Sequence, residues 1–438
     1  MNLQNDFTKL NNNIQEVFNN WNNKILPHLP QQMDEMAKRT GTLQRKRGVS
    51  SALALLRMLF LYAGSKFSFR IPAVAACALG ISTISDTAWR KRFSKAAPFL
   101  REILHSMLSS IFPPADVSAF EGVKNVLLVD ASVIRQEGKQ QKQQRIHLCY
   151  SLNENRIKQV KVSDQHTAES LTHFSMEKGD LVMADAGYGT AQNYIYAKEQ
   201  GADVILRITP KNFCLYDVDG EKISLTALLE DAEEKRMEWI GRFGFCKYKG
   251  KTGFVRVIAH KLSDAHAAKA RKRKTRKASK NQHQIAADTL LCAGWVIVIT
   301  SLGAEYCGEE ILHLYRSRWQ VELLFKRFKQ NFNIHTIKPG SAAYAESETL
   351  LWLIIWTIAE RQSFQAECFL VKKRETSYSV YEQCKISFIQ VTEVLRLSWS
   401  LFADLTDKKY IRYLSKKQRW RINQNDEFHS AVLPGLLG

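Results

Sequence analysis

The chain has 438 residues, enough to bury a sizeable core and to form roughly two to four domains of ordinary size. Its 45% hydrophobic and 10% aromatic content excludes a disordered chain, and 63 Lys and Arg against 43 Asp and Glu give a formal charge of +20, which points to a polyanionic partner. The eight cysteines are scattered without a CxxC pair, which excludes a zinc ribbon or disulfide frame and fits a reducing compartment.

The N-terminal MNLQNDFTKLNNN is polar and Asn-rich, unlike a secretory signal. Residues 1–118 read as helical, with periodic apolar positions in VSSALALLRMLFLYAG and APFLREILHSMLSSIF. Between them, PAVAACALGISTISDTAWRKRF breaks at Gly80, and Ser85 or Asp86 can cap a second helix that would present Trp89, Arg90, Lys91 and Arg92. This is either a helix-turn-helix that binds DNA through Arg90 and Lys91 or part of a plain helical bundle.

From residue 119 the pattern changes. VKNVLLVDAS is an apolar, β-rich run ending in an acid, QRIHLCYSL and RIKQVKVS alternate like strands, and DLVMADAGYG is a second buried strand ending in an acid. A short helix around AESLTHF is expected before that strand; TAQNYIYAKEQG and DVILRIT then read as helix and strand. The region 119–209 is therefore an α/β layer with a mixed sheet. Residues 210–292 break into short β-like pieces and a basic run, best accounted for as a β-rich inserted domain. GWVIVITS restores a buried strand, opening a second α/β part over 293–375, and 376–438 forms a helical C-terminal region. The most apolar run, LLWLIIWTIA at 350–359, is shorter than the roughly 20 residues that span a bilayer and reads as a buried helix. A cytoplasmic, nucleic-acid-handling protein with no membrane partner is expected.

Asp130 in LLVDAS and Asp185 in VMADAGYG would converge at one sheet edge, where sites of α/β folds gather. Taken singly, each also reads as a turn or cap acid. In YRSRWQVELLFKRFK (315–329), Tyr315, Arg318, Glu322 and Lys329 fall within roughly 60° of one another on a helix turning about 100° per residue. Leu314, Val321, Leu324 and Phe328 form a separate apolar arc. A solvated face with an Arg and Glu pair is the plain reading of that polar stripe. With Asp130 and Asp185 opposite, Glu322 completes three hard oxygen donors, the set that a pair of Mg²⁺ ions requires for in-line displacement at phosphorus. Arg318, Lys326 and Lys329 would then bind phosphates, and Tyr315 would donate its hydroxyl to one.

These residues carry a resemblance. Asp130, Asp185 and Glu322, with DAGYG around the second acid and the Y-x2-R-x3-E-x6-K spacing, resemble the DDE transposases of bacterial cut-and-paste insertion sequences, in the group with the YREK signature. The likeness runs from about residue 70 to 370. It implies an RNase H-like (retroviral-integrase-like) catalytic core with a β-rich insertion, flanked by helical N- and C-terminal regions. It also implies two Mg²⁺ ions, with Mn²⁺ as a substitute, held by the three acids; double-stranded DNA, as element ends and target, for partner; and a homodimer in the synaptic complex. The enzyme so implied binds the terminal inverted repeats, cleaves each end with a metal-activated water and joins the 3′-hydroxyl to target DNA. A catalytically inactive end-binding relic and a structure-selective nuclease with the same core are the alternatives. By the same likeness Trp295 lies beside a flipped-out base and Trp319 lines the DNA; an ordinary core aromatic is the other reading for both.

KARKRKTRKASK (269–280), with eight Lys and Arg in twelve residues, can stay disordered without a ligand and would contact phosphates non-specifically through residues such as Arg271 and Arg273. DKKYIRYLSKKQRWRINQ (407–424) repeats the basic and aromatic mix. DQHTAES (164–170) places Asp164, His166 and Glu169 close together and reads as a metal cluster, as a helix N-cap with acids in its first turn, or as flanking the site. DVDG (217–220) reads as a β-turn.

Overall fold

A mixed β-sheet runs through the molecule and carries helices on both faces. The structure, a computed structural model, describes residues 19–63, 68–78, 80–108, 122–137, 143–154, 156–331, 336–338 and 340–373. The expected C-terminal region 376–438, including the basic stretch 407–424, lies outside them.

The described N-terminal residues carry the helices α1 (Met33–Arg39), α2 (Ala52–Ala63), α3 (Arg70–Ala78), α4 (Asp86–Ser94) and α5 (Ala97–Leu108). Gly80 turns the chain between α3 and α4 with a positive φ of 64°, and Ser85 caps α4 by accepting from the Ala88 amide. Trp89, expected on the presented face of α4, is instead buried, because it lies one turn before Phe93 and the two anchor the helix to the core.

The sheet then starts with β1 (Asn125–Gln136), β2 (Gln143–Ser151) and β3 (Arg156–Asp164), joined antiparallel, while β4 (Asp180–Ala184) and β5 (Asp203–Arg207) add in parallel on the other side of β1. Helix α6 (Ala191–Glu199), capped by Thr190, connects β4 to β5. The expected helix around AESLTHF is only a 3-10 turn at Leu171–His173, because its neighbours are held by side chains rather than by helical hydrogen bonds.

The stretch 210–292 supplies β6 (Leu215–Tyr216), β7 (Lys222–Ile223), α7 (Leu225–Glu234), β8 (Trp239–Tyr248), β9 (Lys251–Lys261), α8 (Asp264–Lys280) and α9 (Ala287–Cys292). Asp217–Gly220 is the expected turn, closed by the Gly220 amide donating to the Asp217 carbonyl. The basic run that sequence reading allows to be disordered is most of α8. Ala, Lys and Arg are strong helix formers, and Asp264 in the first turn with Lys277 and Lys280 in the last suit the helix dipole. The long hairpin β8–β9 joins the same sheet through β10 (Trp295–Thr300), giving the order β3-β2-β1-β4-β5-β10-β9-β8-β6-β7 among the described residues.

After β10 come α10 (Gly308–Arg316), α11 (Trp319–Asn331), β11 (Thr336–Ile337), which pairs with the end of β1, and α12 (Ala342–Lys373). The apolar run 350–359 lies within α12 and is buried except for the half-buried Trp352. No helix among the described residues is long and apolar enough to cross a membrane. The described cysteines, Cys77, Cys149, Cys214, Cys246, Cys292 and Cys307, are free thiols.

Period-2 alternation divides the two faces. Val126 and Leu128 of β1 and Leu181 and Met183 of β4 pack into the core shared with α2, α5, α10, α11 and α12. Leu127, Val129, Val182 and Ala184 face the opposite core, which includes α6 and α7.

Candidate active site

Asp130 continues the Val126 and Leu128 side of β1, and Asp185 continues the Leu181 and Met183 side of β4, so both acids belong to the face that α11 covers. In register Val129 lies opposite Ala184, which places each acid one residue beyond the last paired position. Asp130 does not end its strand, however. β1 continues to Gln136 because its far half still pairs with β2, and only the partnership with β4 stops before Asp130. The parallel part of the sheet thus ends at both acids.

Gly187 donates its amide to Asp185 Oδ1 at 2.8 Å, and Ala131 does the same for Asp130 Oδ1 at 2.8 Å. Of the two glycines of DAGYG, Gly189 is needed for a close approach to backbone, while Gly187 adjoins the movable end of the Glu169 side chain. A Cβ at Gly189 would stand 2.1 Å from the Arg207 carbonyl oxygen, and one at Gly187 would stand 1.8 Å from Glu169 Oε2.

The single helix expected over 315–329 is two. α10 ends at Arg316 and α11 starts at Trp319, with Arg318 bonded to the Tyr315 carbonyl and Val321 to the Arg318 carbonyl in tighter i to i+3 turns. The Ser317 hydroxyl donates to the Leu314 carbonyl at 2.6 Å, competing with the helical ladder. The apolar arc survives the break: Leu314, Val321, Leu324 and Phe328 are all buried. Tyr315 departs from expectation. It is buried, and its hydroxyl donates to the Ala184 carbonyl at 3.3 Å, one residue before Asp185, so it ties α10 to β4 rather than facing solvent.

Arg318 stands at the centre of the acids. Its guanidinium is 5.7 Å from the Tyr315 ring centroid, pairs with Glu322 and lies 3.9 Å from Asp130 Oδ2. Burial opposes its charge, but Tyr315, Glu322 and Asp130 together hold its pKa above the ordinary value. Burial also pushes the Asp130 carboxyl up to about 6; the charges of Asp185 and Glu322 add to that rise, while the Ala131 amide and Arg318 oppose it. The Glu322 side chain is about half exposed at 49%, against 21% for Asp130. Lys329 is half-buried and held below its ordinary value by burial and then by Arg135, with Asp130 acting the other way. Lys326 is exposed on the same helix.

No group of three His, Cys, Asp or Glu side chains among the described residues is gathered tightly enough to hold a metal ion. The donor chemistry nevertheless suits a hard divalent cation: the carboxylates of Asp130 and Asp185 at the end of the parallel sheet, with Glu322 drawn aside on an exposed, rotatable side chain to a single arginine.

The two tryptophans separate. Trp295 is 2% exposed and its indole N–H donates to Glu233 Oε1 at 3.0 Å. β10 is an interior strand, and alternation turns Trp295 to the face away from Asp130, into the core with α6 and α7, so it offers no ring to a base. Trp319 is 59% exposed and lines a cavity of about 650 Å³ beside Glu322, with Arg207, His260, His266 and Arg316 also in its wall. Arg90 and Lys91 are exposed on α4, and Arg271 and Arg273 on α8, where Arg271 also donates to the Leu290 carbonyl at 3.2 Å.

Sequence reading missed the supports of this site. Arg207 and His260 carry no local motif. Asn193 is buried, accepts from the Leu171 amide at 2.9 Å and donates to the Tyr188 carbonyl at 2.9 Å, binding the 170s turn to the DAGYG loop. Asp164, expected to cap a helix, instead accepts from the His166 and Thr167 amides in a loop.

Residues 121–358, more than half of the chain and including Asp130, Asp185 and Glu322, match the family described as the transposase DDE domain. Similar proteins include the putative transposase InsL for insertion sequence element IS186A of Escherichia coli K12, 29% identical over 75% of this chain and 90% of that one. The transposase for insertion sequence element IS421 of Escherichia coli is likewise 29% identical, over 75% of this chain and 90% of its own length. The transposase for insertion sequence element IS231C of Bacillus thuringiensis subsp. berliner is 23% identical over 85% of this chain and 86% of its own. The chain belongs to the DDE transposases of insertion sequences.

Proposed function

We propose that this transposase binds the terminal inverted repeats of its own element, cleaves each end by two-metal hydrolysis and joins the freed 3′-hydroxyl to target DNA by transesterification. The observation that carries the reading is the convergence of Asp130, Asp185 and the Glu322 helix on one face of the sheet at the end of its parallel part. The strand order β3-β2-β1-β4-β5, antiparallel across the first three and parallel across the last, supports an RNase H-like core. On this reading 119–209 and 293–375 are its two parts and 210–292 is the insertion; 1–118 binds the element ends, and 376–438 pairs two protomers into a homodimer.

Asp130, Asp185 and Glu322 would hold two Mg²⁺ ions, with Mn²⁺ as a substitute. Bound there, the ions supply Lewis acidity at phosphorus and a hydroxide nucleophile at neutral pH. The chain's own residues prepare the site. Arg318 neutralises Asp130 and Glu322 in the DNA-free protein and is placed to exchange them for a phosphate oxygen, a better bidentate partner for a planar guanidinium. Tyr315 fixes α10 against β4, so that the helix break sets Glu322 across from the two aspartates. Lys326, Lys329 and the exposed cations of α4 and α8 position the backbone, and Trp319 stacks on a base beside the cavity.

An end-labelled duplex carrying the flanking repeats, incubated with Mg²⁺ and either the unsubstituted protein or its Asp130→Ala and Glu322→Ala forms, tests this. Cleavage at the repeat boundary that both substitutions abolish, with binding retained, is expected. Binding without any cleavage by the unsubstituted protein would refute the hydrolytic role and favour an end-binding relic. Cut ends that never join would indicate a nuclease.

A further inference from the structure

We infer that the exposed aromatic face of the β8–β9 hairpin is a stacking surface for unpaired DNA nucleotides. The inference takes its ligand from the handling of element ends proposed above, and it does not depend on the metal site.

The face follows from strand alternation. Cys246, Val255 and Val257 are buried in the core with α6 and α7, so Gly241, Phe243, Phe245 and Lys247 of β8 share the opposite side with Phe254 and Arg256 of β9. The register sets Phe245 opposite Phe254 and Phe243 opposite Arg256. Phe243 and Phe254 lie within 6° of parallel with ring centroids 5.5 Å apart, and Phe245 meets Phe254 edge-on at 5.5 Å. Adjoining phenyl rings belong inside a fold, yet Phe254 is 59% exposed and Phe243 42%. Water against such a patch is unfavourable, so the patch is what a partner would cover.

Charge identifies the partner. Residues 239–261, both strands and their turn, hold Arg242, Lys247, Lys249, Lys251, Arg256 and Lys261 and no Asp or Glu. On the aromatic face the Arg256 guanidinium lies 5.6 Å from the Phe243 centroid and is fixed there by donating to the Gly303 and Tyr306 carbonyls, both at 2.6 Å. The neighbouring acids stand off these strands: Glu199 is paired with Lys251, and Glu305 lies in the loop that Arg256 holds. A second copy of this chain, docked through the same face about a two-fold axis, would set cations against cations. A polyanion is the complement. Phenylalanine has no donor to offer a phosphate, and in a duplex the base faces are already stacked on one another. Rings between cations therefore fit unpaired bases, whose π-faces are free.

Space points the same way. Gly241 lies two positions before Phe243 on the same face, and a Cβ there would meet nothing within 4 Å. Its φ is not left-handed, so the backbone does not call for glycine either. A glycine that neither conformation nor packing requires leaves a flat place in the strand, where a ligand can approach the backbone beside the rings. The face continues along β9 to His260, in the wall of the cavity beside Glu322 and about 20 Å from Phe254 at the rise of a strand. A short single strand is long enough to connect the two.

The test uses the full-length protein in chelator and two fluorescent probes read by anisotropy: an oligothymidylate of about 12 nucleotides and a duplex carrying the terminal repeat. The unsubstituted protein is compared with Phe254→Ala, which removes an exposed ring, and with Gly241→Val, which fills the open space with a residue that strands favour. Neither should lower Tm. Both variants are expected to bind oligothymidylate about 5- to 100-fold more weakly, the loss of one base–aromatic stack, and to bind the duplex as tightly as before. Oligothymidylate binding unchanged in either variant overturns the inference and leaves the proposed function standing, as does binding of the duplex alone by the unsubstituted protein. Equal weakening toward both probes overturns the preference for unpaired bases. Self-association lost in Phe254→Ala by sedimentation equilibrium, with oligothymidylate binding unchanged, overturns it in favour of a second copy of this chain. Binding of neither probe by the unsubstituted protein overturns the inference and the end-binding reading together.

Discussion

Replacing Asp130 by Asn should make the DNA-free protein more stable, by an amount that grows as pH rises from about 4 to 6 and then stays constant. Burial raises the Asp130 carboxyl from 3.8 to about 6 in the folded protein, with Asp185 and Glu322 contributing. Below about pH 4 the group is protonated whether the chain is folded or not, and its ionisation costs folding nothing. Between about pH 4 and 6 the unfolded chain ionises while the folded one does not, so stability falls as pH rises; above about 6 the penalty is constant. The difference of roughly two pH units corresponds to about 3 kcal/mol. Asn removes the charge and can still accept the Ala131 amide, and Arg318 retains Glu322 as its partner. A gain of about 1 to 3 kcal/mol at pH 8 is therefore expected, shrinking to near zero at pH 4. Thermal unfolding of both proteins in chelator, scanned across that range, measures it as a rise of a few degrees in Tm at the alkaline end. An Asn protein that is less stable at pH 8, or whose gain is the same at pH 4, would refute the claim that these acids meet in a desolvated, mutually repulsive site.

Other perturbations separate surface roles from core roles. Trp319→Ala should leave the unfolding free energy within about 0.5 kcal/mol of the unsubstituted protein, since the ring is exposed, while weakening binding to end DNA by about 1 to 3 kcal/mol in a filter or anisotropy assay. Trp295→Ala should do the reverse, costing about 3 to 5 kcal/mol of stability through a core cavity, while Glu233 keeps its ion pair with Lys261. Gly189→Ala should lower stability by about 2 kcal/mol or more in denaturant titration, because its Cβ meets the Arg207 backbone and not a flexible side-chain end. Arg273→Ala should reduce the slope of log binding constant against log salt by about 1 with little change in Tm, if α8 contacts phosphates.

The acids were legible because each sits at a change of pattern. LLVD and VMAD are apolar runs that meet a carboxylate, and an uncompensated carboxylate is expensive inside a core. That β1 runs on past Asp130 was not legible, because a strand's length depends on its partner, and β2 is a separate segment. The split of the signature helix was hidden for a similar reason. Helical periodicity spans 315–329 without a Gly or Pro, and the break comes from a Ser317 side-chain bond and from the anchoring of Tyr315 on Ala184. Trp295 shows the limit of carrying a role over by likeness. Its position on β10 fits, but strand alternation assigns its ring to the core and gives Val296 to the cavity.

The charge arrangement explains why one arginine sits where it does. Asp130, Asp185 and Glu322 belong to one face of a buried sheet, and burial, with smaller additions from the charges of Asp185 and Glu322, raises the Asp130 carboxyl to about 6. Arg318 offsets part of the cost at two of the three acids. It sits at the helix break, one turn before Glu322, so a small rotation of either side chain parts the pair. A permanently buried salt bridge would resist exchange, because separating it strands two desolvated charges. Here Glu322 is half exposed and its release returns a carboxylate to water, so the pair is cheap to open once a phosphate reaches Arg318. The same geometry eases folding of the DNA-free protein and, on the proposed function, would couple the arrival of a phosphate at Arg318 to the freeing of Glu322.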